Sequence, residues 1–207
     1  MKKILHIVAS PREDASRTLQ VAEAFLEAFL KKNQDWVVDE LNLWKEQLPP
    51  MTMKRVDGKY VLLGGKDLFG DLKEAWEEII QQIDRFKAAD LYLLSTPMWN
   101  FSIPYVLKQY IDIIVQPKYL FRYTETGPEG LITGKKMVIC TSRGGNYASD
   151  EMRAFDLQEP YLRTIFGFVG LTDITCINAQ PMDLGKELGQ QKLQEAIALA
   201  RDVAGRI

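Results

Sequence analysis

The sequence predicts an α/β protein in which five parallel strands form one doubly wound sheet of order 2-1-3-4-5, with helices on both faces. Three observations carry that prediction. Apolar and β-branched runs are too continuous for strands with one solvated face, segments of helical period alternate with them, and the intervening crossovers are long enough to return each strand parallel. Residues 3–9 are the first such run. After the polar stretch Ser10 to Ser16, Leu19, Ala22, Leu26, Phe29 and Leu30 recur at helical spacing between charged residues. Val37 to Leu41 alternates weakly and reads as a short second strand. The connection over 43–70 carries Pro49-Pro50, Asp57-Gly58 and Gly64-Gly65, and is expected to be an excursion over the active site or a dimer surface. Leu72, Ala75, Trp76, Ile79, Ile80, Ile83 and Phe86 mark a second helix, and Asp90 to Thr96 a third strand ended by Pro97. Pro104 opens a helix whose apolar side is Val106, Leu107, Tyr110, Ile111 and Ile114. Thr124 to Gly130 reads as a turn-rich insertion, Lys136 to Thr141 as the fourth strand, 158–169 as a helix, 173–179 as the fifth strand and 185–204 as the last helix. Right-handed crossovers place the first and last helices on one face and the others opposite. With no repeat or low-complexity segment, the 207 residues read as one domain, 1–207.

Composition narrows the chemistry. A net charge of −2 gives no basic field for nucleic acid or an anionic membrane surface, and no apolar run approaches a membrane span, so a cytoplasmic protein is expected. The start, Met1 to Ala9, has too short an apolar run for a leader and passes directly into a polar loop; it reads as a strand. Cys140 and Cys176 lie inside apolar segments, as packing residues rather than a disulfide or metal site. The single histidine, His6, falls within the first strand, which leaves a Ser-His-Asp hydrolase or a histidine-rich zinc site without its parts and favours a borrowed cofactor. No metal ligand set is expected.

In a doubly wound sheet ligands bind beyond the carboxyl ends of the strands, beside the switch point between strands one and three. Three loops leave those ends. In Ser10-Pro11-Arg12-Glu13-Asp14-Ala15-Ser16-Arg17-Thr18, three hydroxyls, an arginine and free helix amides make an anion pocket, although Ser16 is equally an ordinary N-cap. The glycines and lysine of dinucleotide and Walker loops are missing, so a monophosphate suits it better than a pyrophosphate. In Pro97-Met98-Trp99-Asn100-Phe101-Ser102-Ile103-Pro104, two aromatics, a methionine and an asparagine between prolines make a stiff wall for a planar ligand; the plainer reading is core beneath a loop. In Ser142-Arg143-Gly144-Gly145, paired glycines let backbone amides approach a ligand, or simply turn the chain.

Together these segments, with Phe121-Arg122-Tyr123-Thr124, Gly127-Pro128-Glu129-Gly130-Leu131 and Gly134-Lys135-Lys136, resemble over essentially the whole length the FMN-dependent NADH-azoreductase and NAD(P)H quinone reductase family of the flavodoxin-like superfamily. The block from Phe121 to Gly145 is the most specific. The resemblance implies that Ser10, Ser16, Arg17 and Thr18 hold the FMN phosphate, that Pro97, Met98, Trp99, Asn100 and Phe101 line the isoalloxazine, and that Ser142, Arg143, Gly144 and Gly145 close on its other polar edge. It implies no catalytic side chain: flavin N5 carries the hydride, supported by donors from Asn100, Gly144 and Gly145. Tyr123 and Phe168, with Asn100, are implied at the acceptor site, one of them across a homodimer interface. NADH or NADPH would reduce one FMN per subunit and a quinone or azo compound would then be reduced in its place, with ping-pong kinetics. Thr18 stands where many relatives have serine and Trp99 where others have tyrosine. The alternative is a flavodoxin-type electron carrier that binds FMN without turning over nicotinamide.

Overall fold

Five of the seven strands lie in one parallel sheet, and the residues that expect this are the ones at its centre. The computed structural model describes residues 1–207. In chain order the elements are β1 (Lys2–Val8), α1 (Arg17–Lys32), β2 (Trp36–Asn42), α2 (Met53–Leu63), α3 (Gly70–Lys87), β3 (Leu91–Pro97), α4 (Tyr105–Ile114), β4 (Phe121–Thr124), β5 (Gly127–Gly130), β6 (Lys136–Ser142), α5 (Asp150–Arg153), α6 (Glu159–Phe168), β7 (Asp173–Ala179) and α7 (Lys186–Arg206). The large sheet has the order β2-β1-β3-β6-β7, which is the expected 2-1-3-4-5 once the separate β4–β5 hairpin is set aside.

Strand side chains alternate between faces, and the core divides accordingly. Ile4, Leu91, Leu93, Val138, Cys140 and Ile177 join Phe25 and Phe29 of α1 and Ala196 and Ala200 of α7 in one cluster. Their sequence neighbours Leu5, Ile7, Tyr92, Leu94, Met137 and Ile139 join Trp76, Ile79 and Ile83 of α3, Tyr110 and Ile111 of α4, and Leu162 and Phe166 of α6 in the other. The central strands are buried on both sides, which is why they read as unbroken apolar runs. Strand β2 alternates weakly because it is an edge: Val37 and Val38 are more than one-third exposed.

Two segments are more regular than their composition suggests. The connection over 43–70 contains the helix α2, which packs on α3. The buried Arg55 donates from Nε to Ala75 O (2.7 Å) and from Nη1 to Pro50 O (2.8 Å), and the Trp76 indole donates to Arg55 O (3.0 Å). Gly58 hides this helix from a propensity reading, and it is required there, since a Cβ would sit 2.2 Å from Trp76 Nε1. The turn-rich insertion is the β4–β5 hairpin, crossed by an Arg122–Glu129 ion pair at 2.7 Å and closed on Gly127 at φ +120°. Free Cys140 and Cys176 form no disulfide, and no helix is long and apolar enough to cross a membrane.

Candidate functional site

Register decides which loops meet. Pro97 pairs with Ser142 and Ser142 with Ala179, so the chain leaves β3, β6 and β7 at one level of the sheet, with Val8 of β1 pairing two residues earlier on β3, at Ser95. The four following loops surround a cavity of about 200 Å³ lined by Ser10, Arg12, Ser16 and Arg17 from the first, Pro97, Met98 and Trp99 from the second, Ser142, Arg143 and Gly144 from the third, and Met182 and Asp183 from the fourth.

Its floor gathers hydroxyls and unpaired helix amides. Ser16 caps α1, accepting from Leu19 N at 3.3 Å, and its Oγ lies 2.7 Å from Ser10 Oγ; both residues are only 3% exposed. The amides of Arg17 and Thr18 lie in the first turn, ahead of any intrahelical acceptor, so their N–H bonds and the positive end of the helix are available to a ligand. Arg17 reaches across to the fourth loop, donating from Nη1 to Asp183 Oδ1 (2.8 Å) and Met182 O (3.2 Å). Gly144 faces Asp183 so closely that a Cβ would stand 2.8 Å from its Oδ2. Hydroxyls, helix amides and the Arg12 side chain are donors of the kind a phosphomonoester accepts from, while the Arg17 guanidinium is paired with Asp183 at the cavity's edge.

Trp99 is a shared wall. Beyond it lies a second, more open cavity of about 550 Å³, lined by Trp99, Asn100, Ser102, Ile103, Tyr105, Lys108 and Tyr161. Trp44, from the start of the 43–70 connection, backs this wall with ring centroids 5.6 Å from Trp99 and 5.4 Å from Tyr105. Asn100 and Phe101 both hold positive φ, +46° and +69°, in the left-handed region that non-glycine residues seldom occupy.

Of the residues singled out by sequence, Ser10, Ser16, Arg17, Pro97, Met98, Trp99, Ser142, Arg143 and Gly144 meet at the first cavity, and Asn100 at the second. Thr18 does not line either: fully buried, its hydroxyl is 2.6 Å from Ser142 Oγ and ties the first loop to the third. Phe101 packs on Phe155 (5.6 Å), and Gly145 faces Tyr147. Arg143 contributes to the lining, but its side chain is only 1% exposed and bonded elsewhere. Phe168 packs on Phe121 at 4.7 Å and Tyr123 stands 64% exposed on the hairpin; neither lines either of these two cavities. Sequence reasoning misses Arg12, which stands in the first loop without an assigned role, and Met182 and Asp183. The signal was available, because a fourth loop follows the fifth strand at the same edge. Tyr105, Lys108 and Tyr161 lie on α4 and α6, where nothing local distinguishes them from ordinary helix-surface residues. His6 is away from both cavities, its Nε2 2.8 Å from Ser95 Oγ, and burial pushes its pKa down to about 4, so it is a neutral core residue near pH 7.

A family model described as the flavodoxin-like fold matches residues 2–203. The chain is 39% identical over 206 residues to an FMN-dependent NADH:quinone oxidoreductase of Nitratidesulfovibrio vulgaris, covering 99% of each protein. Among solved structures, an azoreductase from Bacillus anthracis strain Sterne superposes with a TM-score of 0.91 at 27% identity, covering 100% of both chains. An FMN-dependent NADH-azoreductase from the Ames Ancestor strain, in complex with FMN, gives a TM-score of 0.88 at 28% identity over 100% of this chain and 99% of that one.

Proposed function

The chain belongs to the family with the flavodoxin-like fold, and on that premise we propose that it is an FMN-dependent NADH oxidoreductase that reduces quinones and aromatic azo compounds. The observation that carries this is the cavity at the carboxyl edge of the sheet, where Ser10, Ser16, Arg12 and the α1 amides, gathered beside the Met98–Trp99 wall, would form an anion site. Bound there, FMN supplies the hydride chemistry between nicotinamide and acceptor.

The protein's residues do the holding. Ser10 and Ser16, with the amides of Arg17 and Thr18, would take the phosphate; Thr18, through Ser142 Oγ, braces the first loop against the third. Pro97, Met98 and Trp99 would bound the ring on one side, with Asn100 and Phe101 completing that loop, and the backbone of Ser142, Arg143, Gly144 and Gly145 would bound the opposite polar edge. Amides aimed at that edge would stabilise negative charge as it develops there, with Asn100 as a further donor. The apolar cavity beyond Trp99, with Asn100 on its lining, has the character of an acceptor site. A single reaction face shared in turn by nicotinamide and acceptor would give ping-pong kinetics. We extend the reading to a homodimer in which a second copy brings Tyr123 or Phe168 to the acceptor. It also includes a single cytoplasmic domain, 1–207, whose doubly wound sheet is supported by the division of the core into two clusters.

The test is to load the protein with FMN, remove the excess and mix it with NADH without oxygen. Rapid loss of the flavin's visible absorption, restored by adding a quinone, is expected. Flavin that stays oxidised would instead match the electron-carrier reading, and protein that takes up no FMN would defeat both.

A further inference from the structure

A buried cation lies behind the two walls of the proposed site. Arg143 follows β6, and its guanidinium is turned away from the cavity into the protein. Nε donates to Gln158 Oε1 at 3.1 Å and Nη1 to Asp156 Oδ2 at 2.8 Å, while Nη2 stands 3.6 Å from Glu159 Oε2. Gln158 is fully buried, and its Nε2 donates onward to the carbonyl of Pro97 at 2.9 Å. Asp156 uses its other oxygen to accept from the amides of Gln158 (3.0 Å) and Glu159 (3.1 Å), at the start of α6. One residue along, Leu157 N donates to Phe101 O at 3.0 Å.

Residues 156–158 therefore hold both ends of the Met98–Asn100 wall, at Pro97 O and at Phe101 O, and they are themselves held by Arg143. That wall needs holding. Asn100 and Phe101 are consecutive non-glycine residues in the left-handed region, a conformation that persists only where its surroundings over-determine it. A buried guanidinium is itself stable only when paired, and here Nε and Nη1 are hydrogen-bonded while Nη2 has only the Glu159 carboxylate at 3.6 Å, so the charge depends on this arrangement of the loops.

We infer that Arg143 is a positioning residue: through Gln158 it sets the Met98–Phe101 wall against the Ser142–Gly145 edge, and its side chain does not touch the cofactor. The inference rests on the FMN reading, yet its first test does not. Gln158→Glu retains an acceptor for Arg143 but loses the donor to Pro97 O. In the folded, flavin-free variant, hydrogen exchange of the peptide spanning 97–103 is expected to quicken by at least about tenfold, with β1 and α1 unchanged. FMN affinity by fluorescence quenching is expected to fall by at least about tenfold as well. Arg143→Met should reproduce both effects, and Arg143→Lys should recover part of each, since one ammonium cannot serve Gln158 and Asp156 in the same fork. Unaltered exchange in a folded Gln158→Glu protein overturns the proposal, and so does faster exchange with FMN affinity unchanged. If the unsubstituted chain takes up no FMN, the cofactor reading falls, and the exchange measurement alone judges whether Arg143 and Gln158 hold the wall.

Discussion

Replacing Ser16 by alanine separates two functions that one hydroxyl performs. As N-cap of α1 it accepts from Leu19 N at 3.3 Å, a long bond, so loss of the cap is expected to cost about 1 kcal/mol. For a chain of 207 residues that corresponds to a fall of roughly 2–4 °C in Tm. As a phosphate ligand, the same hydroxyl would make a charge-assisted hydrogen bond of about 1.5–3 kcal/mol. Its removal should weaken FMN binding by about tenfold to about 150-fold. Riboflavin provides the control, because it has the ring and the ribityl chain but no phosphate. Calorimetric titration of both ligands into the parent and Ser16→Ala proteins is expected to show FMN affinity falling by that factor and riboflavin affinity nearly constant. Equal losses for both ligands would mean that the cap acts only through the shape of the loop. No loss for either would remove Ser16, and with it the Ser10–Ser16 floor, from the phosphate site.

Three further outcomes follow from the geometry. Gly130→Ala would drive a Cβ to within 2.3 Å of Gly170 N and 2.4 Å of Val169 C, against backbone that cannot swing aside, so a loss of about 1–3 kcal/mol is expected in urea unfolding; Gly144→Ala meets only the end of the Asp183 side chain and should stay within about 0.5 kcal/mol of the parent. His6 has a folded pKa near 4 against 6.5 when exposed, so the unfolded chain binds the extra proton. Its contribution is present above about pH 6.5 and is lost as the pH falls toward 4, up to about 3 kcal/mol, and His6→Gln should flatten that part of the stability profile. Burial holds the Cys140 thiol well above its usual range and, together with Glu159, pushes Cys176 up to about 12, so an aromatic disulfide reagent should label neither rapidly at neutral pH and both after denaturation. Fast labelling of the native protein would contradict the burial.

Elements with a strong period were legible from the chain alone. The double-sided burial of β1, β3 and β6 writes itself as unbroken apolar runs, and α1 and α3 show their buried stripes directly. Helix α2 was not legible, because its Gly58 is there to admit Trp76, a residue 18 positions later on another helix. The hairpin reads as turns in the sequence because its strands are four residues each and one of them is Gly-Pro-Glu-Gly.

Local pattern determined the alternation of strands and helices and, with the handedness of crossovers, the edge at which Ser10, Met98 and Ser142 would meet. Residue type suggested donors and rings at that edge. Only the tertiary structure decided which side chains face the cavity: it brought Asp183 to Arg17, set Thr18 behind Ser142, and buried the Arg143 guanidinium against Asp156 and Gln158. The physical reason is range. Helix and strand periods are set by neighbours a few residues apart, whereas the direction of a long polar side chain is set by the partner that satisfies its charge, and that partner's distance along the chain leaves no mark on the local sequence.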